Sequence, residues 1–286
     1  MQPICITVLA HQEERRIATC LESLPLGRKD VIIHVVVNGS TDGTAARAQA
    51  IADRTDNLVV HNFKEGGKSR SWNRFLFDTL TAFHPAHIFV DGDAEIVPGS
   101  IDALAAALKA DASVNAVAGM PYNGRRYAEY RAAMVRDHGL FGDLYGLQGA
   151  FLGEMKRRGL RLPDDLVGDD GLIGAMAKTN LEPETDWQDA RVQVCEQAGF
   201  LSETVSLWSP HTWAMQRKRM VNYSVRHFQN RMVSEIMRAQ GPAGLPRQLA
   251  SLYLQKLPSL TPRAHPVWWW FDRAALRRMA AQARTL

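Results

Sequence analysis

Asp91-Gly92-Asp93 directly follows the apolar run Ile88-Phe89-Val90. Its carboxylates stand at i and i+2, and the glycine between them lets the backbone turn sharply. Two such charges held close repel unless a hard divalent cation lies between them, and Mg²⁺ or Mn²⁺ takes oxygen ligands of this kind. A cation so placed would bridge a diphosphate and absorb the charge that develops as it leaves. Taken alone, Asp-Gly is equally a surface turn. A second cluster, Gly66-Gly67-Lys68-Ser69, lacks the earlier glycine of a phosphate loop, because Asn62 occupies that place. A glycine pair followed by Lys68 and Arg70 at a helix start can still hold anionic oxygens through backbone N–H groups and charge. A solvated basic turn is the plainer alternative. The third cluster is Gly168-Asp169-Asp170-Gly171, ahead of the helical-looking Leu172–Ala177. Acids there suit a helix dipole, and they also supply a carboxylate, apart from the first pair, that could take a proton from a hydroxyl. The histidines are scattered without ligand spacing.

The elements that must position these groups are legible in the first half of the chain. Ile4–Leu9, Val31–Val37, Leu58–His61 and Ile88–Val90 read as short strands. Helical patterns separate them: around Arg15–Leu24, after the N-terminal signal Ser40-Thr41-Asp42, over Ser71–Phe83, and from Gly99-Ser100 onward. Near-continuously apolar strands alternating with helices imply a parallel sheet covered on both faces. Ala10–Glu13, Asn38–Asp42, Gly66–Lys68 and Asp91–Asp93 each follow the carboxyl end of a strand, the edge where open α/β sheets bind ligands. Four separate segments therefore converge on one crevice. From about Tyr122 the rhythm fades, and Tyr122–Gly159 reads as helices and loops able to wall an acceptor site. Beyond His211 the chain looks helical, with breaks at Gly241–Pro246 and Leu257–Pro266.

The 286 residues, 46% hydrophobic and 22% charged, suit a soluble globular protein rather than a disordered one. Cys5, Cys20 and Cys195 are odd in number and far apart, which excludes a full disulfide framework and suggests a reducing compartment. No signal-peptide pattern and no run of about 18 apolar residues is present, so the expected location is the cytoplasm. The net charge of +4 is unevenly spread: thirteen of the 34 Lys and Arg, but two of the 30 acids, lie from Pro210 to the end. A basic tail with Trp268-Trp269-Trp270-Phe271 ahead of Arg273, Arg277, Arg278 and Arg284 could lie on an anionic membrane surface, or dock its aromatic end on the body. A nucleic-acid partner is not expected, since no reading motif accompanies the charge.

Together these clusters resemble the family 2 glycosyltransferases of the GT-A fold, over roughly Ile4 to Met220. Ile6-Thr7-Val8-Leu9-Ala10-His11-Gln12-Glu13 is similar to the family's first strand and acidic "NE" signature. Val36-Val37-Asn38-Gly39-Ser40-Thr41-Asp42-Gly43-Thr44 is similar to its nucleotide-reading "DDGSTDGT" segment, with Val37 where an aspartate is frequent. Asp91-Gly92-Asp93 resembles the DxD motif, Asp169-Asp170 the later "ED" motif, and Gln216-Arg217-Lys218-Arg219-Met220 the "QxxRW" motif.

The resemblance implies a GT-A domain over 1–215, with a nucleotide-binding half (1–120) and an acceptor half (121–215), and a helical basic extension over 216–286. It implies an inverting enzyme that moves a sugar from a nucleotide diphosphate donor, UDP-linked by preference, to a hydroxyl of a glycan or lipid-linked acceptor. Glu13, Asn38 and Lys68 would hold the nucleotide. Asp91 would lie at ribose and metal, and Asp93 on the Mn²⁺ or Mg²⁺ ion. Asp170 would act as general base, with Asp169, Gln216 and Arg219 at the diphosphate or acceptor. Met220 in place of the tryptophan of processive members implies single addition. The alternatives are a sugar-phosphate nucleotidyltransferase and a non-catalytic nucleotide-sugar or membrane-binding adaptor, with a peripheral site on the inner membrane face in either the enzyme or adaptor case.

Overall fold

A computed structural model describes residues 3–203 and 210–284. The first half follows the expected alternation: β1 (Ile4–Ala10), α1 (Ile17–Glu22), β2 (Val31–Asn38), α2 (Thr44–Ala52), β3 (Leu58–Phe63) and α3 (Lys68–Asn73). α3 continues as a π-helical turn, Arg74–Thr79, and then come β4 (Ala86–Asp91), the two-residue β5 (Glu95–Ile96), α4 (Ser100–Ala110) and β6 (Ala116–Pro121). The second half adds α5 (Tyr127–Asp137), β7 (Leu144–Gln148), α6 (Gly149–Arg157), α7 (Asp169–Lys178) and β8 (Val192–Leu201). The long α8 (Pro210–Gln240), the short α9 (Tyr253–Lys256) and α10 (Pro266–Ala283) close the chain, joined by 3₁₀ turns.

Among the described residues the eight strands form one sheet in the order β3-β2-β1-β4-β7-β6-β8-β5. β3, β2, β1 and β4 are mutually parallel, whereas β7 runs antiparallel to both β4 and β6. β6 and β8 are parallel, and β5 is antiparallel to β8. Successive strand residues feed opposite hydrophobic clusters, as expected of a sheet buried on both faces. Ile6, Val8, Ile33, Val35, Ile88 and Val90 pack with α1, α2 and α4 residues such as Ile17, Ile51 and Leu104. Leu9, Val36, Phe89 and Tyr145 pack on the other face with Trp72, Phe151, Ile173, Phe228, Tyr253 and Met279.

Two findings correct the reading of the second half. The segment around Tyr122–Gly159 contains a central strand, β7, and not only helices and loops. Its sequence, LYGLQ, carries a glycine that strand propensity disfavours; Leu108 fills that space, since a Cβ on Gly146 would stand 2.9 Å from Leu108 Cδ1. β8 was equally hidden, because its pairing with β6 shifts register between Ala118 and Met120 and breaks the simple alternation. The C-terminal residues also build on the sheet. α10 buries Asp272, Ala275, Met279 and Ala283 along one face. Asp272 receives bonds from Arg263 Nη2 at 2.6 Å and Nε at 2.9 Å. Burial alone would raise its pKa, but these bonds pull the Asp272 carboxyl down to about 2. α10 thus packs on the body through these residues, while its aromatic end stays at the surface, with Trp268, Trp269 and Phe271 half-buried and Val267 and Trp270 exposed. All three cysteines are buried and free, and no helix among the described residues is long and apolar enough to cross a membrane.

Candidate active site

The strand ends on the β1–β4 side carry three interlocked loops. Asn38, 4% exposed at the end of β2, donates from Nδ2 to Ala10 O (3.1 Å) and accepts from Gly67 N at Oδ1 (3.2 Å). One amide therefore ties together the ends of β1 and β2 and the turn before α3. Gly39 takes φ +63° beside it, and a Cβ there would lie 2.5 Å from Gly66 N, so the two glycine loops touch through backbone alone. Gln12 Oε1 accepts from the N–H groups of Thr41 and Asp42 (both 3.2 Å), and Thr44 Oγ1 accepts from Glu13 N (2.8 Å). The Ser40-Thr41-Asp42 signal stands just ahead of α2, whose N-cap is Gly43, and Asp42 Oδ1 accepts from Thr44 N at 3.1 Å.

β4 delivers Asp91 into the centre of this edge. Gly92 N donates to Leu9 O (2.9 Å), and a Cβ at Gly92 would lie 2.8 Å from that of Ala10, so the turn between the carboxylates has room only for glycine. Ala94 N donates to Asp91 O (3.0 Å) and completes the turn. Lys68, the first residue of α3, reaches across with Nζ 2.7 Å from Asp91 Oδ1 and 3.5 Å from Asp169 Oδ1. Burial pulls the Lys68 ammonium down, but Asp169 and Asp91 more than offset this and hold it well above the ordinary lysine value. Asp169 is 4% exposed and its Oδ2 has no hydrogen-bond partner among the described residues. The sheet edge and the start of α7 thus meet at one ammonium group.

Asp143 is a site residue the sequence reading missed. It precedes β7, and because β7 runs against its neighbours its amino end lies at the same edge as the carboxyl end of β4: Val90 pairs with Leu144, and Asp91 N donates to Asp143 O (3.2 Å). Burial and the Asp93 charge push the Asp143 carboxyl up to about 6, against a bond from Ser202 Oγ (2.8 Å). Burial likewise pushes Asp91 well above the usual carboxylate range, opposed by Lys68 and reinforced by Asp143 and Asp93. Glu13 is pushed up to about 8 by burial and by Asp93, Asp42 and Glu203, with Arg219 opposing. Gathered carboxylates that resist ionisation together favour a cation. Among the described residues, however, no group of three or more His, Cys, Asp or Glu is arranged to hold one. Asp91 and Asp93 are the carboxylates that could contribute oxygens to a divalent ion, since one or two suffice where phosphate oxygens complete the shell.

α7 begins at Asp169-Asp170 after Gly168, which adopts φ +88°. Asp170 Oδ1 lies 3.1 Å from Arg226 Nη2 of α8, a second residue the sequence reading missed. α8 also carries Gln216, exposed, and Arg219, half-buried and close enough to lower the pKa of Glu13. Glu13, Asn38, Lys68, Asp91, Asp93, Asp169, Asp170 and Arg219 therefore line one crevice or its support, while no contact among the described residues draws Gln216 in.

A mostly parallel mixed sheet covered by helices, with a lysine, gathered acids and glycine loops at one edge, is an α/β fold of the GT-A type. Within that class the chain belongs to glycosyl transferase family 2, whose model matches residues 5–163, more than half its length. It is a glycosyltransferase. A sequence search among curated proteins finds no match. Among solved structures it is similar to the mannosyltransferase PcManGT of Pyrobaculum calidifontis in complex with GDP-Man and Mn²⁺, at 21% identity and TM-score 0.61 over 98% of this chain and 76% of that one. It is also similar to Mycobacterium tuberculosis glucosyl-3-phosphoglycerate synthase with Mn²⁺, UDP-glucose and phosphoglyceric acid, at 18% identity and TM-score 0.54 over 79% of each chain. S. aureus TarS 1–349 with UDP-GlcNAc matches at 14% identity and TM-score 0.55, over 98% of this chain and 81% of that one.

Proposed function

We propose that the protein transfers a sugar from a nucleotide diphosphate donor, UDP-linked in the first instance, to an acceptor hydroxyl with inversion at the anomeric carbon. One observation carries this reading: Lys68 Nζ stands between Asp91 and Asp169, so the acids of the sheet edge and the acids of α7 share one crevice. Donor and base chemistry need that proximity, and a binding adaptor has no use for it. The loops tied by Asn38 form the nucleoside side, and Lys68 and Arg219 supply positive charge for the phosphates. Asp93 and Asp91 would hold a divalent ion together with the diphosphate; when bound, that ion supplies charge stabilisation to the leaving group.

In the reaction the acceptor oxygen forms a bond to the anomeric carbon as the bond from that carbon to the diphosphate oxygen breaks. The acceptor proton passes to an Asp170 oxygen, and nucleoside diphosphate leaves with the electron pair. A single displacement from an α-linked donor gives a β-linked product. The neighbours crystallised with GDP-Man, UDP-glucose and UDP-GlcNAc support a nucleotide-sugar donor and differ in base. Titration calorimetry with UDP, GDP and dTDP, each with and without Mn²⁺, tests the reading. Metal-dependent binding of one nucleotide is expected, reduced at least tenfold (about 1.4 kcal/mol) in Asp93→Ala. Equal binding by wild type and variant in every condition would overturn it.

A further inference from the structure

We propose that Arg226 is a positioning residue for Asp170, fixing one carboxylate oxygen so that the group meets the acceptor in a single orientation. The inference rests on the reading of Asp170 as base. Three independent features of the structure converge on it. The first is the ion pair itself: Arg226 Nη2 lies 3.1 Å from Asp170 Oδ1, with the two side chains 32% and 15% exposed. The second is the path of the arginine. It crosses Gly168 so closely that a Cβ there would lie 2.5 Å from Arg226 Cδ and Nε, and a Cβ at Gly171 would lie 3.1 Å from Nη2. Residues on both sides of Asp169-Asp170 are thus glycines, and the guanidinium runs over the backbone they leave bare.

The third feature is the support behind the arginine. Gln229, three residues further along α8 and 1% exposed, accepts from Val167 N at Oε1 (2.8 Å). Its Nε2 donates to Asp165 O (3.0 Å) and to Tyr253 Oη (2.8 Å). Residues three apart on a helix share a face, so one face of α8 holds both the loop entering α7 and the carboxylate at its first turn. The neighbouring acid is held differently: Asp169 turns to Lys68, which leaves Asp170 as the one whose ion pair comes from α8. An arginine that fixes one oxygen lowers the number of carboxylate orientations, and near-attack geometry is sensitive to such restriction.

Steady-state kinetics of Arg226→Gln, Arg226→Lys and Asp170→Asn, with donor Kd measured by calorimetry, decide the matter. Arg226→Gln is expected to lower kcat about 10- to 100-fold while donor Kd and donor KM stay within about twofold, an orientational loss. Arg226→Lys keeps the charge on the same helix and should recover part of kcat. The inference is overturned if Arg226→Gln keeps wild-type kcat, if it weakens donor binding as much as it slows turnover, or if lysine recovers nothing. Should the Gln variant lose its cooperative melting transition, the Lys variant alone decides, by a fall in kcat at unchanged donor Kd. Full activity in Asp170→Asn would instead remove the assignment of the base, whatever the arginine variants do.

Discussion

Two acidic pairs face each other across Lys68, and they reach their places by different means. Asp91-Gly92-Asp93 is set by strand register. β4 pairs with β1 through Leu9 opposite Asp91, and the glycine turn packs on Ala10 of that same neighbour. Asp169-Asp170 has no strand behind it. The loop before it is held by α3, through Ser69 Oγ donating to Leu166 O (3.1 Å) and Asn73 Nδ2 to Leu162 O (2.8 Å), and by α8, through Gln229 and Arg226. The first pair is thus preorganised by strand register within the sheet, and the second by side-chain contacts from the flanking helices.

The sharpest way to break this comparison is to remove the proposed base alone. Asp170→Asn should lower the transfer rate by about 10³-fold, within the range for a positioned general base, while calorimetry finds donor binding intact. Parallel loss of both would mean the two pairs act as one unit. A smaller effect is expected from Gly39→Ala, which puts a side chain at a left-handed φ and against Gly66. Donor affinity should fall about tenfold, since left-handed backbone alone costs about 1–2 kcal/mol for a non-glycine residue; an unchanged Kd would separate the glycine loops from the nucleotide.

The smallest effect concerns pH. Burial, with His61 and His84 nearby, pushes the His34 pKa down to about 4, against an ordinary 6.5. The folded state then binds fewer protons than the unfolded one between those values, so stability present above pH 6.5 is lost as pH falls toward 4. Replacement by leucine should flatten that part of the stability-versus-pH curve in urea titrations; equal slopes would show that His34 does not titrate differently on unfolding.

The same contrast explains what the sequence revealed. The edge after β1, β2, β3 and β4 was legible because apolar runs ending in glycine-bearing polar clusters announce parallel strands without tertiary knowledge. Asp143 stayed hidden because it comes before its strand, and only the antiparallel course of β7 brings it to the site. β7 and β8 were themselves obscured, by a glycine filled from Leu108 and by a register shift. Arg226 carries no local signal at all. It sits one residue after buried Val225 on an amphipathic helix, and nothing short of the packing of α8 on α7 distinguishes it from other surface arginines.

That placement of Arg226 also orders events during synthesis. Chains fold from the amino end as they leave the ribosome, and the last strand ends at Leu201, before α8 begins at Pro210. The whole sheet and both acidic pairs are therefore exported ahead of the arginine that grips Asp170. The loop entering α7 therefore meets its contacts from α8, through Gln229 and Arg226, only after every strand has been synthesised.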